Sequence, residues 1–254
     1  SIGWKGIFIV LLILGVLLLF SNLHFKESLS VDNRKRGNLK SLVSSFGIVL
    51  KNHRYVYYVL QMGFAMGVLF ANISSSPFIV QQHYGFSAFE FSLFFGINAL
   101  AIGLAAGLSV KFKNPEHAMF LGSVGMTMMS AVEFVILSNE YHFAVYEAVL
   151  FVLLFSMGLT FTASTTLAMD CERANSGTAS ALFGAAGFAF GGIVSPLVGL
   201  GDILSTTGLI FFVCSVCSLC FSVFAMNQTH TNLWGSFKCK MGPVTRFVFL
   251  RREK

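Results

Sequence analysis

Residues Asp170 to Gly201 read DCERANSGTASALFGAAGFAFGGIVSPLVGLG. Charged and amide residues crowd the start (Asp170, Glu172, Arg173, Asn175), and no charge follows from Ser176 to Gly201. As an α-helix rising ~1.5 Å per residue, that tract can cross the ~30 Å hydrocarbon core of a bilayer. Seven glycines, several alanines and Pro196 fill it where leucine would be ordinary. Glycine weakens an isolated helix, but in lipid small residues let two helix backbones approach closely, and close packing is what holds helices together there. Gly187, Gly191, Ser195 and Gly199 recur every four residues as one smooth stripe. Such a helix belongs in a membrane-spanning bundle.

The rest of the chain agrees. Of 254 residues, 55% are hydrophobic and 11% charged, where a soluble domain carries about 25% charged residues. The charges sit in short islands. Between them lie seven tracts of spanning length: Trp4–Phe20, Tyr55–Val80, Phe89–Val110, Ala118–Ser138, Phe143–Ala168, Thr178–Leu200 and Leu204–Met226. The first is no signal peptide, because no small-x-small cleavage site follows it and the next segment is rich in Lys and Arg. Counted over alternate connections, sixteen of the seventeen basic residues fall on one side, and Lys5 alone falls on the other. By the positive-inside rule that side is cytoplasmic, the C-terminus is inside and the N-terminus outside. The net charge of +6 then reports topology and anionic lipid, with no nucleic acid as partner. Cys214, Cys217 and Cys220 read as small apolar residues of the last span, and no metal or cofactor is implied. No Gly-rich phosphate loop, HExxH or nucleophile elbow is present, so an enzyme is not expected.

The organisation expected is a transmembrane helix (1–22), a long cytoplasmic loop (23–54), a six-helix transmembrane half (55–226) and a basic cytoplasmic tail (227–254). Within the loop, NLKSLVSSFGIVLKNHRY (Asn38–Tyr55) puts Leu39, Leu42, Val43, Phe46, Val49 and Leu50 at helical spacing, as an amphipathic helix along the membrane interface. The sequence starts without Met and almost inside a span. Together with the long loop, this points to a piece of a larger protein whose first half is missing. The six later spans form two triplets, Tyr55–Ser138 and Phe143–Met226. Their first helices share a faint signature, MGVLFANISSSPF (Met66–Phe78) and MGLTFTASTTLAM (Met157–Met169). Three spans per unit make the second copy inverted, an arrangement found in secondary transporters. Small residues also recur at Gly63, Gly67, Ala71 and Ser75, and at Ala99, Gly103 and Gly107. Pro77 and Pro196 are expected to bend their helices.

From Trp4 to Met226 the chain resembles the Bcr/CflA (bicyclomycin and chloramphenicol resistance) drug-efflux branch of the major facilitator superfamily. The resemblance rests on WKGIF (Trp4–Phe8), on LFANISSSPFIVQQHYGFSAFEFSLFFGINAL (Leu69–Leu100), and on ASTTLAMD (Ala163–Asp170) followed by GTASALFGAAGFAFGGIVSPLVGLG (Gly177–Gly201). It implies an all-α polytopic membrane protein with the major facilitator fold: the C-terminal six-helix half, two inverted three-helix repeats, preceded by one further transmembrane helix. It also implies a proton-driven multidrug antiporter in the bacterial cytoplasmic (inner) membrane, exporting small hydrophobic or amphiphilic compounds and completed by the missing N-terminal half. In that fold the first helix of each triplet lines the central cavity and the second helix forms the moving contact between halves. Gly103, Gly107, Gly187, Gly191, Ser195 and Gly199 would lie on those second helices. The loop SVKFKNPEH (Ser109–His117) keeps the family's basic character but lacks its Gly-x-x-x-Asp-Arg pattern. A seven-helix receptor or sensor is the alternative reading of the same span count.

Polar groups inside a membrane face protein or water and so mark candidate sites. Asn72, Ser74, Ser75, Ser76, Asn98, Thr162 and Thr165 are candidates for a substrate cavity, with Phe70 and Phe161 as walls. A proton-coupled antiporter needs a carboxyl group that is protonated and released in each cycle. Glu133, on a polar stripe with Ser123, Thr127 and Ser130, is the acid most clearly within a span, and Glu147 is a shallower second candidate.

Overall fold

The computed structural model describes the backbone of residues 3–24 and 39–240 and the side chains of residues 5–24 and 43–228. Several basic residues used for the topology (Lys26, Arg34, Lys35, Arg36, Arg246, Arg251, Arg252, Lys254) lie outside the described residues, as do the side chains of Leu39 and Leu42 and most of the basic tail. The chain divides into two compact units, one ending at Ser41 and the other beginning at Leu42.

In the first unit, α1 (Gly3–Leu23) is apolar all round, the pattern of a helix surrounded by lipid. A short helix, α2 (Leu39–Leu50), most of it in the second unit, precedes six long ones: α3 (His53–Pro77), α4 (Ala88–Ser109), α5 (Pro115–Ser138), α6 (Phe143–Cys171), α7 (Ser176–Leu197) and α8 (Ile203–Lys240). Among the described residues, seven helices have the length and composition of membrane spans. The amphipathic α2 docks by Val49, which is fully buried, while Val43 and Leu50 stay exposed.

Helix ends follow local chemistry. Asn52 accepts from the Tyr55 amide to start α3, and Ser87 with Glu90 forms a reciprocal capping box on α4. The Asp202 carboxylate accepts from the Ser205 N–H at 2.9 Å to start α8. The two prolines end α-helical geometry rather than simply bending it. Pro77 hands α3 over to a π-helical turn, Phe78–His83, and Pro196 brings α7 to a 3₁₀ turn, Val198–Leu200. Each proline lacks an amide donor, so its helix loses the bond to the carbonyl four residues earlier close to its end.

Packing reveals the two triplets. The first helices, α3 and α6, pack on each other, and so do the third helices, α5 and α8. Each second helix crosses over: α4 packs on α6 and α7 packs on α3, while α5 lies on α6 and α8 on α3. Exchanging α3–α4–α5 with α6–α7–α8 maps this pattern onto itself.

The faint MG signature now has a physical cause. A Cβ on Gly67 would lie 3.3 Å from Val194 of α7 and 3.2 Å from Cys214 of α8, and one on Gly158 would lie 2.6 Å from the Ile102 carbonyl of α4. The repeated glycine marks where each first helix meets the crossing helix of the other triplet.

Candidate functional site

The long glycine stripe does not present one face. A Cβ at Gly187 would meet the Met62 side chain at 3.0 Å, and one at Gly191 would meet the Phe70 ring at 2.3 Å. These two glycines therefore seat α7 on α3 inside the six-helix unit. This corrects the expectation that they press against a missing half. Gly103, Gly107 and Gly199 have open space where a Cβ would be, and Ser195 is half-buried. The outward small-residue surface is thus Ala99, Gly103 and Gly107 on α4, with Gly192 beside α7's buried glycines and Gly199 just beyond its end. Close crossings elsewhere use Gly122 and Gly208, which belong to no stripe. Their Cβ atoms would sit 2.6 Å from the Ser156 carbonyl and 2.8 Å from the Phe134 Cα.

Most of the cavity candidates on α3 and α6 bond to their own helix. Ser75 donates to the Ala71 carbonyl at 2.9 Å, Thr162 to that of Gly158 at 3.2 Å, and Thr165 to that of Phe161 at 2.8 Å. This back-bonding one turn away is the ordinary fate of hydroxyls in spans. The Ser76 hydroxyl sits 2.6 Å from the Asn72 carbonyl oxygen and 2.8 Å from its Oδ1. Asn72 and Asn98 are both buried. Phe70, Ser74, Phe161, Thr162 and Thr165 are only half-buried and share the two first helices.

Two polar clusters lie inside the bundle. The first, toward the end bearing Arg54, centres on Gln61 of α3, which is completely buried. Its Nε2 donates to Ser218 Oγ of α8 at 3.0 Å, and its Oε1 accepts from Ser164 of α6. Ser218 in turn donates to the Gln61 carbonyl at 3.0 Å. From α5, Ser123 reaches Thr160 of α6 at 3.2 Å and lies 3.4 Å from Gln61 Nε2. One amide therefore ties four helices together. Sequence reading passed over Gln61; the signal available was an amide in an otherwise apolar tract, YVYYVLQMGF.

The second cluster lies toward the opposite end, around Glu133. Ser123, Ser130 and Glu133 of the expected stripe on α5 are fully buried and Thr127 is half-buried. Glu133 is 0% exposed, and neither carboxyl oxygen has a hydrogen-bond partner. From α6, the Tyr146 hydroxyl lies beside Ser76, within electrostatic reach of both Glu133 and Glu147. Glu147 Oε1 accepts from Asn98 Nδ2 of α4 at 2.9 Å, while Glu147 Oε2 and Asn98 Oδ1 are buried without partners. Phe86, Phe94, Phe143 and Tyr84 stack together and against Tyr146 at this end. Tyr84 lies beyond the π turn, and its phenol is pushed above its usual range, first by burial and then by Glu133 and Glu140.

The end bearing Arg54 is held by an ion pair and two hydrogen bonds. Arg54 pairs with Glu116 of α5 at 3.0 Å, Asn52 donates to Glu172 at 2.7 Å, and the Tyr55 hydroxyl donates to the Ala179 carbonyl of α7 at 2.6 Å. Arg173 pairs with Asp170 at 2.9 Å on the surface.

Comparison with known proteins agrees with this architecture. Residues 1–196 match the Major Facilitator Superfamily. An uncharacterized MFS-type transporter of Bacillus subtilis (strain 168), YdgK, is 35% identical over 218 residues, covering 84% of this chain and 54% of the relative. The chain spans about half the length of that protein.

Proposed function

The chain belongs to the major facilitator superfamily, and from that premise we propose that it is the C-terminal part of a proton-coupled exporter of small hydrophobic or amphiphilic compounds, of the multidrug-efflux type found in the Bcr/CflA branch. It is a multi-pass membrane protein of a transporter family rather than an enzyme family, and this sets aside the seven-helix receptor. The membrane is the bacterial cytoplasmic (inner) membrane. The ends of the spans bearing Arg54, Lys111, Lys113 and Arg173 face the cytoplasm.

One observation carries the coupling. Glu133 places a carboxyl wholly inside a membrane bundle with both oxygens unpartnered. Isolated buried carboxylate charge costs several kcal/mol, and proton uptake removes that charge. A group so placed can bind and release a proton as its surroundings alternate between the two sides. Glu147, within electrostatic reach, is the second candidate. Phe70, Ser74, Phe161, Thr162 and Thr165, half-buried on the first helix of each triplet, supply an apolar wall with few polar groups, suited to amphiphilic cargo.

The test is dye or chloramphenicol accumulation in cells carrying the full-length protein. Expected is low accumulation that rises when an uncoupler collapses the proton gradient, and equally high accumulation in a Glu133→Gln variant that reaches the membrane in normal amount. Accumulation indifferent to the uncoupler would remove antiport.

A further inference from the structure

The atoms left without partners between α4 and α6 have a specific complementarity. Asn98 Nδ2 already donates to Glu147 Oε1 at 2.9 Å. The two atoms left over are Asn98 Oδ1, an acceptor, and Glu147 Oε2, and both are buried and unbonded. A carboxylate and an amide oxygen are both acceptors, so as an ionised pair they repel. One proton on Oε2 makes it a donor and supplies what Oδ1 lacks. The acid and the amide then join through two parallel hydrogen bonds, N–H···Oε1 and Oε2–H···Oδ1.

We propose that Asn98 and Glu147 form a proton-operated latch between α4 and α6: the protonated pair holds the helices together, and release of the proton loosens α4. The proposal rests on the proton-coupled reading above and assigns Asn98 as a positioning residue within it. The bond formed is O–H at Glu147 Oε2. The proton comes from water and returns to it, and no other group changes.

The setting favours a switch. Glu147 meets Glu133 from α5, with Tyr146 and the N-capping His142 on its own helix. Glu90 of α4 is occupied by Ser87. His83 and Tyr84 follow α3, and the Tyr84 hydroxyl donates to the Tyr141 carbonyl. The remaining titratable side chains of α3, which include Arg54, lie in its first two turns at the opposite end, and α7 carries none. No Lys or Arg of α3–α7 therefore sits beside Glu147 to neutralise it. What the latch would free is a helix whose outward face includes Gly103 and Gly107, where an added Cβ would meet nothing within 4 Å.

The test is infrared titration of the reconstituted full-length protein, together with spin-label distances between Leu104→Cys on α4 and Val152→Cys on α6 in a cysteine-replaced background. Expected is a protonated-carboxyl band that titrates, disappears in Glu147→Gln and moves to higher frequency in Asn98→Ala as the Nδ2 hydrogen bond is lost. The α4–α6 distance lengthens as pH rises. In Glu147→Gln it stays short at every pH, because the amide N–H replaces the acid O–H. A distance unaffected by pH in the unsubstituted protein, or a band unmoved by both variants, overturns the latch. Neither readout needs transport, so efflux that ignores the proton gradient would sink the functional reading and leave the latch standing, and the reverse holds as well.

Discussion

Replacing Gly191 by Ala puts a methyl where Phe70 already stands. The new Cβ would lie 2.3 Å from Phe70 Cδ2, 2.6 Å from Cγ and 2.7 Å from Cε2. Carbon contacts settle near ~3.5 Å, so the ring or the helix must move by roughly 1.2 Å. The clash includes Cγ, the ring atom nearest the backbone, so rotation about the last torsion does not relieve it. Moving the ring also disturbs its edge-on contact with Phe188 at 6.0 Å, where such pairs contribute about 0.5–1.5 kcal/mol. Overpacking of this kind costs about 1–3 kcal/mol, against a gain of about 1 kcal/mol from Gly to Ala in a helix. The neighbouring Gly192→Ala meets nothing within 4 Å and keeps only the gain. Thermal unfolding in detergent should therefore rank Gly192→Ala at or above the unsubstituted protein and Gly191→Ala clearly below it, with Phe70→Leu restoring part of the loss. Equal stabilities for the two alanine variants would refute the assignment of Gly191 to the α3–α7 contact.

Gln61→Leu should destabilise the bundle by roughly 1–2 kcal/mol, because it removes the amide bonds to α6 and α8 and leaves Ser164 and Ser218 only their bonds to backbone carbonyls; chemical unfolding of the same preparation measures it. Gly191→Leu, a larger intrusion at the same crossing, should abolish efflux, read as full accumulation of dye at normal expression. Hydrogen bonding to Ser205 holds the Asp202 carboxyl below its ordinary value, so its stabilising effect is present above the unfolded-state pKa and is lost as pH falls through the lower folded-state pKa. Asp202→Ala should cost about 1 kcal/mol at neutral pH and show no such acid dependence in a pH series of melting curves. A double-mutant cycle on Arg54 and Glu116, whose side chains are 31% and 20% exposed, should return a coupling of no more than about 1 kcal/mol.

Length and apolarity made the spans readable, because hydrocarbon thickness fixes how long an uncharged helix must be. Most helix ends drifted by only a few residues, but α8, expected to stop at Met226, runs on to Lys240. Which helix packs on which was not readable. A glycine stripe says that something comes close, but Gly187 and Gly191 needed Met62 and Phe70, more than a hundred residues earlier in the chain, to identify the partner. Gly122 and Gly208 stand outside any four-residue stripe, so no repeat pointed to them. The polar candidates divided by chemistry. Ser75, Thr162 and Thr165 were drawn to their own backbone carbonyls, while Asn98, which cannot satisfy its amide that way, found Glu147 on another helix. Glu133 was visible as an acid on a stripe of small hydroxyls, but its complete enclosure depended on α6 and α8 closing over α5.

Proton exchange for substrate is the central claim, and proton counterflow measures it. Everted membrane vesicles containing the full-length protein, acidified by respiration and carrying a pH-sensitive dye, should lose part of their acid interior when chloramphenicol or a hydrophobic dye substrate is added. The double variant Glu133→Gln, Glu147→Gln should hold its gradient unchanged under the same addition. Equal gradient loss in both preparations, or none in either while substrate is still exported, would contradict proton coupling through these two carboxyls.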